Sequence, residues 1–246
     1  MKLNLKIPTS LNEVTLRQYK EFLKIQENEK DNLLLNAQMI KIFCNQELEN
    51  VMLLKVNDVE EITNSITEMF SEKPALVKKF SLGNVNYGFH PKMQELSLGE
   101  YIELDTYIGD WNNIEKAMNV LYRPILVTLK DSYSIKEHDV ENAESVLDMP
   151  MDAVLSSIFF FVEFRIGVIA NYDELFGQSG GERNLDAVSQ FSSKWQWYQS
   201  LYSLAQGDIT RFEDIIKLSF HKCFMMLSFM KDKSELESKQ MKKKFK

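Results

Sequence analysis

The sequence predicts a mainly α-helical, multi-helix protein with one small β-hairpin near residues 75–90. Three observations predict it. Glycine and proline are scarce, nine and five in 246 residues, which favours long helices over a sandwich or barrel. Apolar residues recur at helical spacing through most of the chain, behind recognisable cap residues. One stretch, "ALVKKFSLGNVNYGFHP" at 75–91, instead alternates and places Gly83 and Asn84 between two short runs, the pattern of a hairpin.

Taken in order, "NLKIP" reads as a short strand or extended arm stopped by Pro8. Thr15-Leu-Arg-Gln18 is a capping box that opens a helix to about Gln26, and a second helix runs from about Asp31 to Gln46. A third follows Asn57-Asp58 and ends before Pro74. After the hairpin, Ser97-Leu-Gly-Glu100 is another capping box, starting a helix through Tyr107. Asp110 caps "WNNIEKAMNVLYR", which Pro124 ends or kinks, and 125–137 is expected as loop or extended chain. "GQSGGERN" at 177–184 has the composition of a flexible linker. The chain therefore divides into an N-terminal helical part (1–75), a hairpin with helices (76–176) and a C-terminal helical part with a basic tail (185–246), or these pack as one continuous domain.

Two echoes run through the sequence. "TLRQYKEF" (15–22) parallels "SLGEYIEL" (97–104) in cap, leucine, acid or amide, and tyrosine, a likeness that shared helix-start chemistry explains. "DVENAESVLDMPMDAVLSSIFFF" (139–161) aligns without gaps on "DITRFEDIIKLSFHKCFMMLSFM" (208–230), each a short helix, a break at Pro150 or Ser219, then a longer apolar helix. This second echo reads as a reused helical hairpin. The two offsets differ, so a fixed-period solenoid is excluded.

Composition bounds the function. At 44% hydrophobic and 26% charged the chain is an ordinary globular protein long enough for a well-buried core. Its formal charge of −7 is uneven: residues 231–246 carry seven lysines against Asp232, Glu235 and Glu237, a net +4, which leaves the rest at −11. An acidic body repels nucleic acid and anionic lipid, so only the basic C-terminal tail suits either. Cys44 and Cys223 lie in apolar helical patterns and read as buried reduced thiols. There is no sequon and no apolar run at the N-terminus fit for a signal peptide, and "AVLSSIFFFVEFRIGVIA" (153–170) is interrupted by Glu163 and Arg165. A cytoplasmic protein without a membrane span is expected.

No catalytic, cofactor-binding or metal-binding residue is assigned. His90, His138 and His221 fall in no HExxH pattern, and neither cysteine has a partner at ligand spacing. Glu100, Glu103 and Asp105 cluster on one helix but read as the wet side of an amphipathic element. "GQSGGERN" lacks the Lys-Ser/Thr of a phosphate loop and the GxGxxG of a dinucleotide turn, and no serine sits in a GxSxG turn. No cofactor or small-molecule substrate is implied. In "SKWQWYQSLYSLAQGD" (192–207), Trp195, Trp197, Tyr198, Leu201, Tyr202, Leu204 and Ala205 share one half-circle of the helix, with Lys194 as the only nearby cation. Both tryptophans are therefore expected in a core, with a groove for a partner as the alternative and a base-stacking platform disfavoured. "IFFFVEF" and "KCFMMLSFM" are Phe- and Met-rich; most of these residues read as a core shared between the two hairpins, with an adaptable face for varied partners as the alternative.

Several stretches in order carry a resemblance: "FSLGNVNYGFHPKMQELSLGEYIELDTYI", "WNNIEKAMNVLYRPI", "YSIKEHD", "SSIFFF" and "WQWYQSLYSLAQGDITRFEDIIKLSF". Together, over roughly 80–225, they resemble small tailed-bacteriophage proteins found among tail and virion genes, including those of phages of Bacteroidetes related to the crAss-like group, and tail assembly chaperones. The resemblance implies a non-catalytic protein that binds other phage virion or tail proteins, in the host cytoplasm during assembly or in the virion. It implies no catalytic residues. The alternative is a cytosolic helical adaptor unrelated to phage, and a third class is an enzyme whose site is assembled from distant residues. The oligomeric state is not legible.

Overall fold

The computed structural model describes residues 5–130, 132–176 and 187–244. The protein is mainly helical: α1 (Leu16–Asn28), α2 (Asn32–Phe43), α3 (Leu48–Val51), α4 (Val56–Ser71), α5 (Leu98–Tyr107), α6 (Ile114–Leu121), α7 (Met151–Asn171), α8 (Asp173–Phe176), α9 (Ala187–Leu204), α10 (Phe212–Ile216) and α11 (Phe220–Lys244). The sheet corrects the expectation of a single hairpin. β1 (Lys79–Leu82) and β2 (Val85–Phe89) form that hairpin, but β3 (Tyr122–Leu129) and β4 (Ser132–Ile135) extend it to four antiparallel strands in the order β1-β2-β3-β4. The stretch expected as loop or extended chain at 125–137 is thus largely strand. Its pattern hid it, because Leu126, Val127 and Leu129 are all exposed, so apolar residues fall on both faces and no alternation shows.

Other boundaries moved for local reasons. The described part of "NLKIP" joins no strand, and its Asn4 lies outside the described residues. α2 stops at Phe43 because Asn45 takes a left-handed φ of 51°. Asp110 caps only a turn, accepting from the Asn112 amide at 3.0 Å, and α6 starts later, behind Asn113. Pro124 does not end the helix but pairs with Tyr87 in the sheet, since the chain turns extended at Tyr122. The stretch expected as a linker, 177–184, lies outside the described residues.

Two compact units make up the chain, neither continuous in sequence: Met1–Pro91 with Tyr107–Phe160, and Lys92–Thr106 with Phe161–Lys246. The first holds α1–α4, the sheet and α6. Its core runs from the Phe22–Phe43–Phe70 rings, with centroids 5.4 and 5.6 Å apart, to Tyr122 at the sheet. The Tyr122 hydroxyl, fully buried, donates to the Val77 carbonyl at 2.6 Å. The second unit holds α5 and α8–α11 around Tyr101, Phe161, Phe220 and Phe224.

One construction occurs once in each unit. In the first, a 3₁₀ turn at Leu11–Glu13 leads into the Thr15 capping box, whose strand-like entry pairs with Pro150. Leu16 N donates to Met149 O at 2.9 Å, and Met151 N to Val14 O at 2.9 Å. In the second, a 3₁₀ turn at Met93–Glu95 leads into the Ser97 box, which pairs with Ser219. Leu98 N donates to Leu218 O at 2.7 Å, and Phe220 N to Leu96 O at 3.1 Å. Asp139 and Asp208 both cap the short helical turn that precedes the break, accepting from Glu141 N and Thr210 N. The two sequence echoes are therefore halves of a single repeat: each capping-box helix is bridged to the break in its own helical hairpin. Helix-start chemistry alone does not account for the first echo, because it does not place Thr15 opposite Pro150 and Ser97 opposite Ser219.

The copies differ at one position in a way that shows their packing. Arg17 grips Asp148 through two hydrogen bonds, 2.7 and 3.1 Å, which raises the guanidinium pKa and lowers that of the carboxyl. Its counterpart is Gly99, where a Cβ would stand 3.3 Å from both the Ile216 side chain and its carbonyl. The missing side chain lets α10 close on the start of α5.

Candidate functional site

The second unit carries the surface that the sequence misread. In α9 the aromatic half-circle splits along its length. Trp197, Leu201, Leu204 and Ala205 face inward, while Trp195, Tyr198 and Tyr202 are 38%, 46% and 56% exposed. At about 100° per residue the exposed rings sit within about 60° of Trp195, at the edge of the apolar arc, and Trp197 lies on its opposite side. Trp197 packs inward but is only half-buried, and Trp195, expected in the core, is exposed. An arc that spans half the helix is wider than one packing face can cover.

The buried side explains why the helix is held firmly. Trp197 stacks on Phe224 with centroids 5.8 Å apart and meets Tyr101 edge-on at 5.8 Å. Its Nε1–H donates to Asp105 Oδ2 at 3.1 Å, and Arg165 Nε pairs with Asp105 Oδ1 at 2.7 Å. Asp105 thus serves two partners from one largely buried carboxylate. Burial, with the Asp105 charge second, pushes the Tyr101 hydroxyl well above its ordinary range.

The outward side forms an open groove of about 460 Å³ lined by Trp195, Tyr198, Gln199, Tyr202 and Ser203. Tyr198 rests on Phe212 at 5.4 Å, edge to face, and on Trp195 at 5.5 Å. The helix ends on a left-handed pair, Gln206 and Gly207, with Gly207 N bonded back to Tyr202 O at 3.0 Å. A Cβ at Gly207 would meet the Tyr202 hydroxyl at 3.2 Å, so the glycine gives that ring its place. A second hollow, about 250 Å³, lies between Gln206 and the Met226, Phe229 and Met230 side of α11. Met226 and Phe229 are exposed there. Among the described residues the lining of the aromatic groove is aromatic and neutral polar, which suits a protein surface rather than a phosphate backbone.

The candidate ionisable groups are not brought together. Glu100 is consumed by the capping box, accepting from Ser97 N at 2.8 Å, and Asp105 by Trp197 and Arg165. His90 lies in the first unit, where its amide donates to Leu121 O at 2.7 Å. His221 sits between the Tyr172 hydroxyl, 2.9 Å from Nδ1, and Gln94 Oε1, 2.5 Å from Nε2. Burial lowers its pKa, favouring the neutral ring. With Nε2–H donating to Gln94, Nδ1 accepts from Tyr172, and the imidazole acts as a polar brace. Cys44 and Cys223 are free and buried, and burial pushes the Cys44 thiol up to about 11. Among the described residues no cluster of three or more His, Cys, Asp or Glu is placed to hold a metal ion.

No family model, curated protein or solved structure matches the chain. The aromatic groove therefore stands on its own geometry. Among the described residues one helix, α7, is long and apolar enough to cross a membrane by length and composition, and 33% of its apolar window is buried within the protein. Nothing in the sequence pattern distinguished Trp195 from Trp197. The width of the arc shows only that one packing face cannot cover all of it, not which edge stays exposed.

Proposed function

We propose that this is a non-catalytic protein that binds other phage proteins during tail or virion assembly, as an assembly factor or a minor component of the particle. The exposed aromatic groove of α9 is its partner-binding surface. The observation that carries this reading is the row of Trp195, Tyr198 and Tyr202 on one exposed face of a helix whose opposite face is locked by Trp197. Large rigid rings anchored on an ordered helix lose little side-chain freedom on binding, which is why tryptophan and tyrosine dominate the energetics of protein interfaces. The ordered series of motifs that resembles phage tail and virion proteins supplies the kind of partner. The structural duties of Asp105, Glu100 and His221 favour a binding role over chemistry.

A photo-crosslinking residue at Tyr198, introduced in phage-infected cells, tests the proposal. Crosslinks to tail or virion proteins, lost when Trp195 and Tyr202 are changed to Ala, are the expected result. Crosslinks confined to host proteins point to the adaptor reading instead, and the absence of any crosslink removes the groove as a binding surface.

A further inference from the structure

The charge asymmetry of the chain has a physical counterpart on two exposed surfaces. The first is α4. Asp58, Glu61, Glu68 and Glu72 are all exposed and, at 3.6 residues per turn, fall within about 80° of one another along about 21 Å of helix. Glu47, Glu49 and Glu60 are exposed nearby in sequence, with Lys55 the only cation between Glu47 and Glu72. Among the described residues no cation pairs with any of these seven carboxylates. The turn entering α4 also exposes Met52 and Leu53, at 64% and 73%.

The second surface is the end of α11. From Asp232 to Lys244 every residue is exposed. Glu237 and Glu235 are neutralised within the helix by Lys233 and Lys239, each at 3.8 Å. Lys242, Lys243 and Lys244 remain, and among the described residues no carboxylate pairs with them. Lys233, Leu236, Gln240, Lys243 and Lys244 share about 100° of the helix along about 17 Å, and Leu236 and Met241 are exposed at 57% and 58%. Few contacts fix this stretch to its own unit, yet it stays helical through lysines that crowd its last turn, where they complement the helix dipole.

We propose that copies of this protein associate head to tail, the lysine-rich end of α11 of one copy lying along the acidic face of α4 of the next. The two surfaces are opposite in charge and similar in length, and each offers exposed apolar side chains beside its charges. The acidic body repels itself, so the basic end is the segment of a second copy best matched to it. Because donor and acceptor surfaces are different patches, the contact is heterologous and leaves one of each unused at the ends, so it propagates into a ring or a filament. This goes beyond partner binding through α9 and uses none of its residues.

Sedimentation velocity of the full chain tests it. In about 20 mM salt the weight-average mass should rise with protein concentration, and the dissociation constant should weaken at least about tenfold in about 500 mM salt. The variants K242E/K243E/K244E and D58K/E61K/E68K should each be monomeric with unchanged helicity, and an equimolar mixture of the two should associate again. Truncation after Ser238, which removes no buried side chain among the described residues, should also give a monomer and covers the case in which either charge variant loses helicity. A wild-type chain that stays monomeric at low salt overturns the proposal. So does undiminished association in a charge variant or the truncation, or a mixture of two folded charge variants that stays monomeric.

Discussion

Replacing Trp197 by Ala, with Trp195→Ala as its partner experiment, separates the two sides of α9 energetically. Trp197 loses its stack on Phe224, its edge contact with Tyr101 and the hydrogen bond to Asp105. Removing a large aromatic from such a place costs about 3–5 kcal/mol, and the lower end applies because Trp197 is only partly buried. Trp195 contacts Tyr198 from an exposed position, so its truncation should cost less than about 1 kcal/mol. In a chain of this size each kcal/mol moves Tm by about 2–4 °C, giving a fall of about 6–12 °C for Trp197→Ala against less than about 4 °C for Trp195→Ala. Trp197→Phe keeps one aromatic ring but loses the N–H donor and part of the stack, so its loss should lie between about 1 kcal/mol and that of Trp197→Ala. Urea unfolding followed by far-ultraviolet circular dichroism measures all three without relying on tryptophan emission. Equal losses at 195 and 197, or a Trp197→Ala loss below about 1 kcal/mol, would refute this division of α9.

Native protein at pH 8 should resist thiol reagents, since Cys44 and Cys223 are buried with thiol pKa values raised by burial; stoichiometric labelling before denaturation contradicts this. His221 has a folded pKa below its unfolded value of about 6.5, so its contribution to stability is full above that value and is lost as pH falls through the folded pKa. The drop in Tm from pH 8 to pH 5 should therefore shrink in His221→Gln, and an unchanged drop means the ring is not neutral in the fold. Gly88→Ala should destabilise by about 1–3 kcal/mol, because a Cβ there would overlap the Tyr133 ring, whose hydroxyl holds Phe89 O at 2.6 Å; a neutral denaturation midpoint would show that the ring yields.

How much of this was legible follows from what each signal encodes. Capping boxes are local chemistry, and both Thr15 and Ser97 start helices where the sequence places them. The hairpin at Gly83-Asn84 is equally local. The β3–β4 pair was lost because exposed Leu126, Val127 and Leu129 erase the in-out alternation by which a strand is recognised. The surface role of Trp195 was lost for the converse reason: hydrophobicity alone does not say which part of a wide arc finds a neighbour. The repeat was half legible, since each echo is visible along the chain but the hydrogen bonds that join them, from Leu16 to Met149 and from Leu98 to Leu218, span distant residues.

Those bridges also dictate when the protein can fold. α1 is made roughly 130 residues before the segment that closes on it, and α5 waits roughly 120 residues for Ser219. Neither unit can reach its final packing from the early part of the chain alone, because each draws a capping-box helix from upstream and its long helix from downstream. During synthesis at about 5–20 residues per second, the apolar faces of Leu16 and Leu98 stay uncovered for several seconds to tens of seconds. The reciprocal capping at Thr15 and Ser97 suits that interval, since it holds a helix start together with short-range bonds while its long-range partner has yet to leave the ribosome. A nascent chain from which Pro150 has not yet emerged should accordingly show helical α1 but remain open to proteolysis, and once Phe160 has cleared the ribosome the first unit should close while the second stays unfinished.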